Sequence, residues 1–142
     1  MYLGLFLDKR SEDVLRDCFE NTLDNKLHLT IIHTPKETKI ETPMDLKNVG
    51  ISQTHFDLVI DTAAIDKFGK DKDVWVLKME DTLHNYLSNL RIQTENWFYR
   101  NHYSFSNDFL FNPHITLTKD EVLKIKKPLP KVLVFNKIEW VL

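Results

Sequence analysis

Along the chain, apolar residues gather in short runs separated by polar breaks. Residues 2–7 (Tyr-Leu-Gly-Leu-Phe-Leu) form an unbroken apolar run of strand length that meets Asp8, Lys9 and Arg10 at once. From 11 to 23 the period changes. Val14, Leu15, Cys18, Phe19, Thr22 and Leu23 fall on one helical stripe, Ser11 is placed to cap it, and Glu12 and Asp13 suit its positive end. Asp24 and Asn25 break the helix, and 27–34 returns to strand character. Residues 35–54 are polar, carry Pro35, Pro43 and Gly50, and read as a long surface connection with room for one short edge strand. Such connections often shape binding sites.

Two further strands are predicted at 56–65 and 74–79, joined by a charged turn at Phe68-Gly69-Lys70-Asp71. Leu83, Leu87 and Leu90 mark a helix over 80–92. Another strand is expected at 110–118, then a short helix at 120–126 closed by Pro128 and Pro130. A last strand covers 131–142, with Val132, Val134, Ile138, Trp140 and Leu142 on one face by alternation. The order β-α-β, connection, β-β-α-β-α-β predicts an α+β or α/β domain over 1–142 and hints at two lobes.

Composition narrows what such a domain can do. A length of 142 residues suits one core, and 42% hydrophobic with 28% charged residues is a globular balance. Nineteen Lys and Arg against twenty-one Asp and Glu leave a net charge of −2, so no overall basic field draws the chain to double-stranded nucleic acid or to a membrane. An anionic ligand must be met locally. Gly4, Gly50 and Gly69 stand apart, so no glycine-rich phosphate loop can be written. The lone Cys18 excludes a disulfide, a cysteine zinc site and a redox pair; it fits a reducing cytoplasm and reads as a core residue on its stripe. The apolar start has no basic leader and no run is long enough to span a membrane, so a cytoplasmic protein is expected. The aromatic stretch 97–111 reads as core plus a lid, with base stacking as the alternative.

The six histidines are the main chemical resource. Two lie in matching segments: Leu27-His28-Leu29-Thr30-Ile31-Ile32 and Pro113-His114-Ile115-Thr116-Leu117-Thr118. On a strand, residues two apart share a face, so His28 projects with Thr30, and His114 with Thr116 and Thr118. With sixteen Ser and Thr in 142 residues, six histidines give about 0.7 His-x-Ser/Thr matches by chance, so the tripeptide alone says little. His102-Tyr103-Ser104 is a third match, in a loop-like context. Threonine at the third place with an apolar residue on both sides of it, present in both strand copies, is much rarer.

Two imidazoles near neutral pH can divide the proton transfers of phosphodiester cleavage, one as base and one as acid. Threonine hydroxyls can donate to the non-bridging oxygens, where transition-state charge collects. No metal or other cofactor is expected. The chain resembles the 2H phosphoesterases, named for two His-x-Thr/Ser motifs, and within them is most similar to phage anti-CBASS cyclic-oligonucleotide phosphodiesterases. Their motifs similarly read Leu-His-x-Thr-Ile-Ile and Pro-His-Ile-Thr-Leu, and their opening strand carries a tyrosine, as at Tyr2, and then an aspartate, as at Asp8.

The resemblance implies a bilobal fold: two pseudo-symmetric lobes whose antiparallel sheets line a central cleft, with helices outside. It implies His28 and His114 as the acid-base pair, Thr30 and Thr116 as phosphate clamps, and Tyr2 as a nucleobase-stacking residue, with Phe68 a second stacking candidate. The implied activity is opening of a cyclic nucleotide second messenger through a 2′,3′-cyclic phosphate, which would counter host antiviral signalling. Alternatives are a LigT-like hydrolase of RNA ends or of small cyclic phosphates, and a nucleotide-binding sponge that returns its ligand intact.

Other candidates are weaker. Lys119 directly follows the second motif and is the most interesting of three flanking lysines with Lys26 and Lys36. His33, five residues from His28, points away from the cleft if the strand continues regularly. His55 and His84 stand alone, and no ligand spacing supports a metal at His28 and His114.

Overall fold

Asp8 ends the first apolar run because its carboxylate turns back to accept a hydrogen bond from the Ser11 N–H at 2.7 Å, capping the helix that follows. The computed structural model describes residues 1–35, 57–81, 86–106 and 110–141, so most of the 35–54 connection, with Lys36, His55 and His84, lies outside the described residues. The opening strand is β1 (Tyr2–Leu7) and the helix is α1 (Lys9–Asp17). The cap is therefore Asp8, not Ser11. Ser11 is buried, and its Oγ accepts the Val134 N–H at 2.9 Å, fastening the helix to the last strand.

α1 is shorter than its apolar stripe suggested. At Cys18 the chain leaves the helix and runs beside residues 124–127: Glu20 N–H donates to the Lys124 carbonyl at 2.9 Å and Lys126 N–H to the Cys18 carbonyl at 2.8 Å. Phe19 and Ile125 form an isolated β-bridge. The same pairing removes the helix expected at 120–126, because these backbone groups are spent on a neighbouring segment and not on each other. Cys18 is buried as expected, and burial raises its thiol pKa above the usual value.

The remaining elements are β2 (His28–His33), β3 (Leu58–Phe68), β4 (Val74–Met79), α2 (Tyr86–Arg100), β5 (His114–Thr118) and β6 (Val132–Val141). All strand pairs are antiparallel, and the order β1-β2-β5-β4-β3-β6 closes back on β1. The fold class is thus α+β: among the described residues, six antiparallel strands in a closed ring, with two helices. β3 makes closure possible, since Leu58 to Asp61 pair with β6 while Thr62 to Phe68 pair with β4. Gly69, at φ +99°, starts the turn into β4, a conformation that favours glycine. No described helix is long and apolar enough to cross a membrane.

Leu3, Leu5, Leu29, Ile31, Leu77, Ile115, Leu117, Leu133 and Phe135 project from the strands into one core with Leu15 and Phe19, and with Leu87, Leu90, Trp97 and Phe98 of α2. The helix α2 runs further than its leucine spacing indicated and takes in the first part of the aromatic stretch. Trp97 and Phe98 are core, with Tyr103, Phe105 and Phe111 packed against them, while Tyr99 stays exposed.

Four register shifts break simple alternation; in β3, Thr62 pairs with Met79 and Ala64 with Lys78, leaving Ala63 extra. Gly4 pairs with Thr30 and Leu3 with Ile32, so Ile31 is an extra residue in β2. Val76 pairs with Thr116 and Trp75 with Thr118, so Leu117 is extra in β5. Phe6 pairs with Lys137 and Leu7 with Phe135, leaving Asn136 extra in β6. Each such bulge reverses which face later residues occupy. In β6, Leu133 and Phe135 enter the core in place of Val132 and Val134, and Ile138 and Trp140 join it beyond the bulge.

Candidate active site

The two His-x-Thr segments come together along one seam of the ring. Leu29 of β2 pairs with Ile115 of β5, and both side chains are fully buried. Because alternate residues of a strand face opposite ways, His28 and Thr30 stand on the other face, as do His114 and Thr116. Antiparallel order places His28 toward the Thr116 side of the pair and His114 toward the Thr30 side. The four side chains are half-buried.

Each histidine is the first residue of its strand and is held in the same way. His28 Nδ1 lies 2.9 Å from the Lys26 carbonyl, and His114 Nδ1 lies 2.7 Å from the Asn112 carbonyl, two residues back in each case. A carbonyl only accepts, so Nδ1 carries the proton in both rings and Nε2 is the nitrogen left for chemistry. Around the second motif, Pro113 biases Asn112 toward extended backbone, and the Pro113 carbonyl accepts the Met79 N–H at 2.9 Å. Burial lowers the pKa of His114, with the charge of His28 acting the same way against the opposing hydrogen bond to Asn112. The two imidazoles are therefore close enough to sense each other's charge.

Most of the other described threonines have a hydroxyl partner. The hydroxyls of Thr34 and Thr62 donate to backbone carbonyls, as does that of Thr94, and Thr118 Oγ1 accepts from the Asp120 N–H. Among the described residues, the Thr30 and Thr116 hydroxyls have no such partner.

The bulge after each motif is also matched. The extra residue follows the threonine directly, Ile31 in β2 and Leu117 in β5, and a polar group meets its carbonyl from outside the strand. Arg91 Nη1 donates to the Ile31 carbonyl at 2.8 Å, and the Asp24 N–H donates to the Leu117 carbonyl at 2.9 Å. Arg91 is buried, pairs with Glu95 at 2.8 Å and lies against the rings of Phe105 and Phe111.

Both expected stacking residues lie against a catalytic candidate, one on each. The Tyr2 ring is stacked on His28 with centroids 4.6 Å apart and planes 17° apart. Phe68 meets the His114 ring edge-on at 4.7 Å and 72°. Tyr2 thus already uses one ring face on the imidazole; burial raises its pKa, aided by the charge of Glu139. Phe6, which was not singled out from the sequence, lies 5.5 Å from His28 on its other approach and pairs with it across β1 and β2. Gly4 lies between Tyr2 and Phe6 on this face, where the lack of a side chain leaves room for both rings.

Lys119 is exposed beyond the end of β5 and has no hydrogen bond or ion pair to either histidine among the described residues; Lys26 contributes its carbonyl, not its charge. Two readings by alternation change at the bulges. His33 pairs with Tyr2, on the face of Gly4 and Phe6, and not on the side away from the site. Thr118 pairs with Trp75 and is buried, leaving the face of His114 and Thr116. His102 sits in the turn after α2 at φ +59° and is exposed, consistent with its loop reading. Among the described residues no three His, Cys, Asp or Glu side chains gather as metal ligands. No known protein family model matches the chain, and no curated protein sequence matches it.

Proposed function

We propose that the chain is a phosphodiesterase of the 2H kind that opens cyclic oligonucleotide second messengers and so silences the signal they carry. One observation carries the reading: the Leu29–Ile115 pair sets two imidazoles and two threonine hydroxyls on a common face, with both Nε2 atoms and both hydroxyls unpaired among the described residues. The halves β6-β1-β2 and β3-β4-β5, each contributing one motif followed by one bulge, support the pseudo-symmetric, two-lobed arrangement of that family.

In this reading a 3′-5′ linkage lies between the imidazoles. His114, whose pKa is lowered, is neutral and takes the proton of the ribose 2′-hydroxyl through Nε2 as the oxygen attacks phosphorus. The bond from phosphorus to the 5′-oxygen breaks, and the protonated Nε2 of His28 supplies the proton to that oxygen. The products are a 2′,3′-cyclic phosphate and a free 5′-hydroxyl. Thr30 and Thr116 donate to the non-bridging oxygens as their charge rises, a contribution of about 10²–10³ in rate for one well-placed donor.

The test is incubation with cyclic di- and trinucleotides and identification of the products. Expected are linear species ending in a 2′,3′-cyclic phosphate, resistance of the 2′-deoxy analogues, and loss of several orders of magnitude in His28→Ala and His114→Ala. Rapid cleavage of a 2′-deoxy substrate would overturn the route. Recovery of intact ligand from a tight complex would turn the protein into a sponge, and action on 2′,3′-cyclic ends alone would make it a LigT-like hydrolase.

A further inference from the structure

The two halves of the site match in their histidines, threonines and bulges but not in what stands beside each histidine. Phe6 of β1 pairs with His28, and the equivalent position in the other half, paired with His114, is Lys78 of β4. Lys78 shares the face of His114, because its neighbour Leu77 pairs with Ile115 and is fully buried. Directly paired residues of an antiparallel ladder have Cβ atoms only about 5 Å apart.

Lys78 is one of only two half-buried lysines among the described residues. Its partner on β3 is Ala64, and its ammonium forms no ion pair or hydrogen bond among the described residues. Asp66, paired with Val76 on the same face, accepts instead from the Lys67 N–H at 2.8 Å. Lys137, by contrast, lies in the other half beside Phe6 and is neutralised by Glu139 at 3.2 Å. With no counter-charge among the described residues, the Lys78 ammonium can donate to an anionic ligand.

The His-x-Thr pairs already supply four polar groups to one phosphate. Lys78 adds a fifth donor beside His114, at the strand position that Phe6 holds beside His28, and marks a place for a second anion. We infer that Lys78 is a specificity residue, which holds a phosphate beyond the scissile one and so favours substrates with two or more phosphates over single cyclic mononucleotides. The inference rests on the phosphodiesterase reading for its choice of ligand. On the aromatic side, Tyr2 and Phe6 suit the uncharged nucleoside part, so the substrate has a defined polarity across the seam.

The experiment measures binding, which does not require turnover. Wild type, Lys78→Gln and Lys78→Arg are titrated with a 2′-deoxy cyclic dinucleotide, which has two phosphates and no nucleophile, and with 2′,3′-cyclic AMP, which has one. Lys78→Gln should weaken the dinucleotide about tenfold or more, the effect of losing one charge-assisted hydrogen bond, and leave the mononucleotide within about twofold. Lys78→Arg should retain most of the affinity. Equal loss for both ligands, loss for neither, or no dinucleotide binding by wild type would overturn the inference. Cleavage of the ribo dinucleotide is scored separately. Selective binding through Lys78 without cleavage would sink the phosphodiesterase reading and leave Lys78 standing; cleavage unaffected by Lys78 would do the reverse.

Discussion

Leu29 of β2 pairs with Ile115 of β5, and the two imidazoles of the site flank this buried pair on the opposite face. The seam is narrow, since β1 and β2 pair at five positions while this register shows one. Holding the two motifs together therefore falls to side-chain burial more than to a hydrogen-bond ladder. Leu29→Ala and Ile115→Ala should each lower stability by about 2–5 kcal/mol, and Ile115→Val by about 0.5–1.5 kcal/mol. Urea denaturation measures this directly, and an Ile115→Ala loss below about 1 kcal/mol would show that the seam is held some other way.

Gly4 is the floor on which Tyr2 and Phe6 lean. A Cβ there would lie 3.1 Å from the Tyr2 ring and 3.2 Å from the Phe6 ring, so at least one ring must give way. Gly4→Ala should cost about 1–3 kcal/mol as an overpacked site and disturb the stacking of Tyr2 on His28. Thermal unfolding and the His28 ring signals in proton NMR report the two effects. An unchanged His28 environment would mean that the ring accommodates the methyl group without moving the imidazole.

Arg91 ties the bulge after Thr30 to the following segment through the Ile31 carbonyl at 2.8 Å and the Ser106 carbonyl at 3.4 Å. Arg91→Met keeps much of the apolar stem but leaves the buried Ile31 carbonyl without its donor, a loss of about 1–3 kcal/mol. Lysine cannot present the same fork, so Arg91→Lys should recover little of it. Denaturation of the three proteins side by side settles the point; full recovery by lysine would mean that charge alone matters.

The pH dependence follows from His114, whose folded-state pKa lies below the ordinary histidine value of 6.5, chiefly through burial. The unfolded chain protonates near 6.5, so as pH falls below that value it takes up the proton first and stability is lost down through the folded pKa; above about 6.5 this contribution is fully present. His114→Asn should flatten the acid side of a stability profile measured by denaturation at several pH values. In the proposed mechanism the same shift puts the acid limb of kcat/KM below pH 6.5. A limb clearly above that value would remove His114 as the base.

Much of this was legible without coordinates. The apolar run of β1, the strands around both motifs and the shared face of each His-x-Thr pair all follow from local periodicity, which needs only the chain itself. The reading failed where a distant segment competed for backbone groups. Residues 120–126 look helical alone, but Cys18 to Glu20 take their hydrogen bonds. Likewise α2 was expected to end before Trp97, because polar residues around the aromatics suggested a loop; packing of Trp97 and Phe98 into the core extends it.

Within the site the division is sharper. The sequence by itself determined which residues share the candidate site's face, His28 with Thr30 and His114 with Thr116, because two-residue spacing on a strand is a local property. Tertiary structure alone decided what stands beside them. Bulges at Ile31, Leu117 and Asn136 reverse alternation in ways no local pattern announces, moving His33 and Thr118 to faces opposite to those expected. Phe6 and Lys78 became neighbours of the two imidazoles through strand register, a relation between segments far apart in the chain. Register is set by the fit of whole strands around the closed ring, and only the folded ring fixes it.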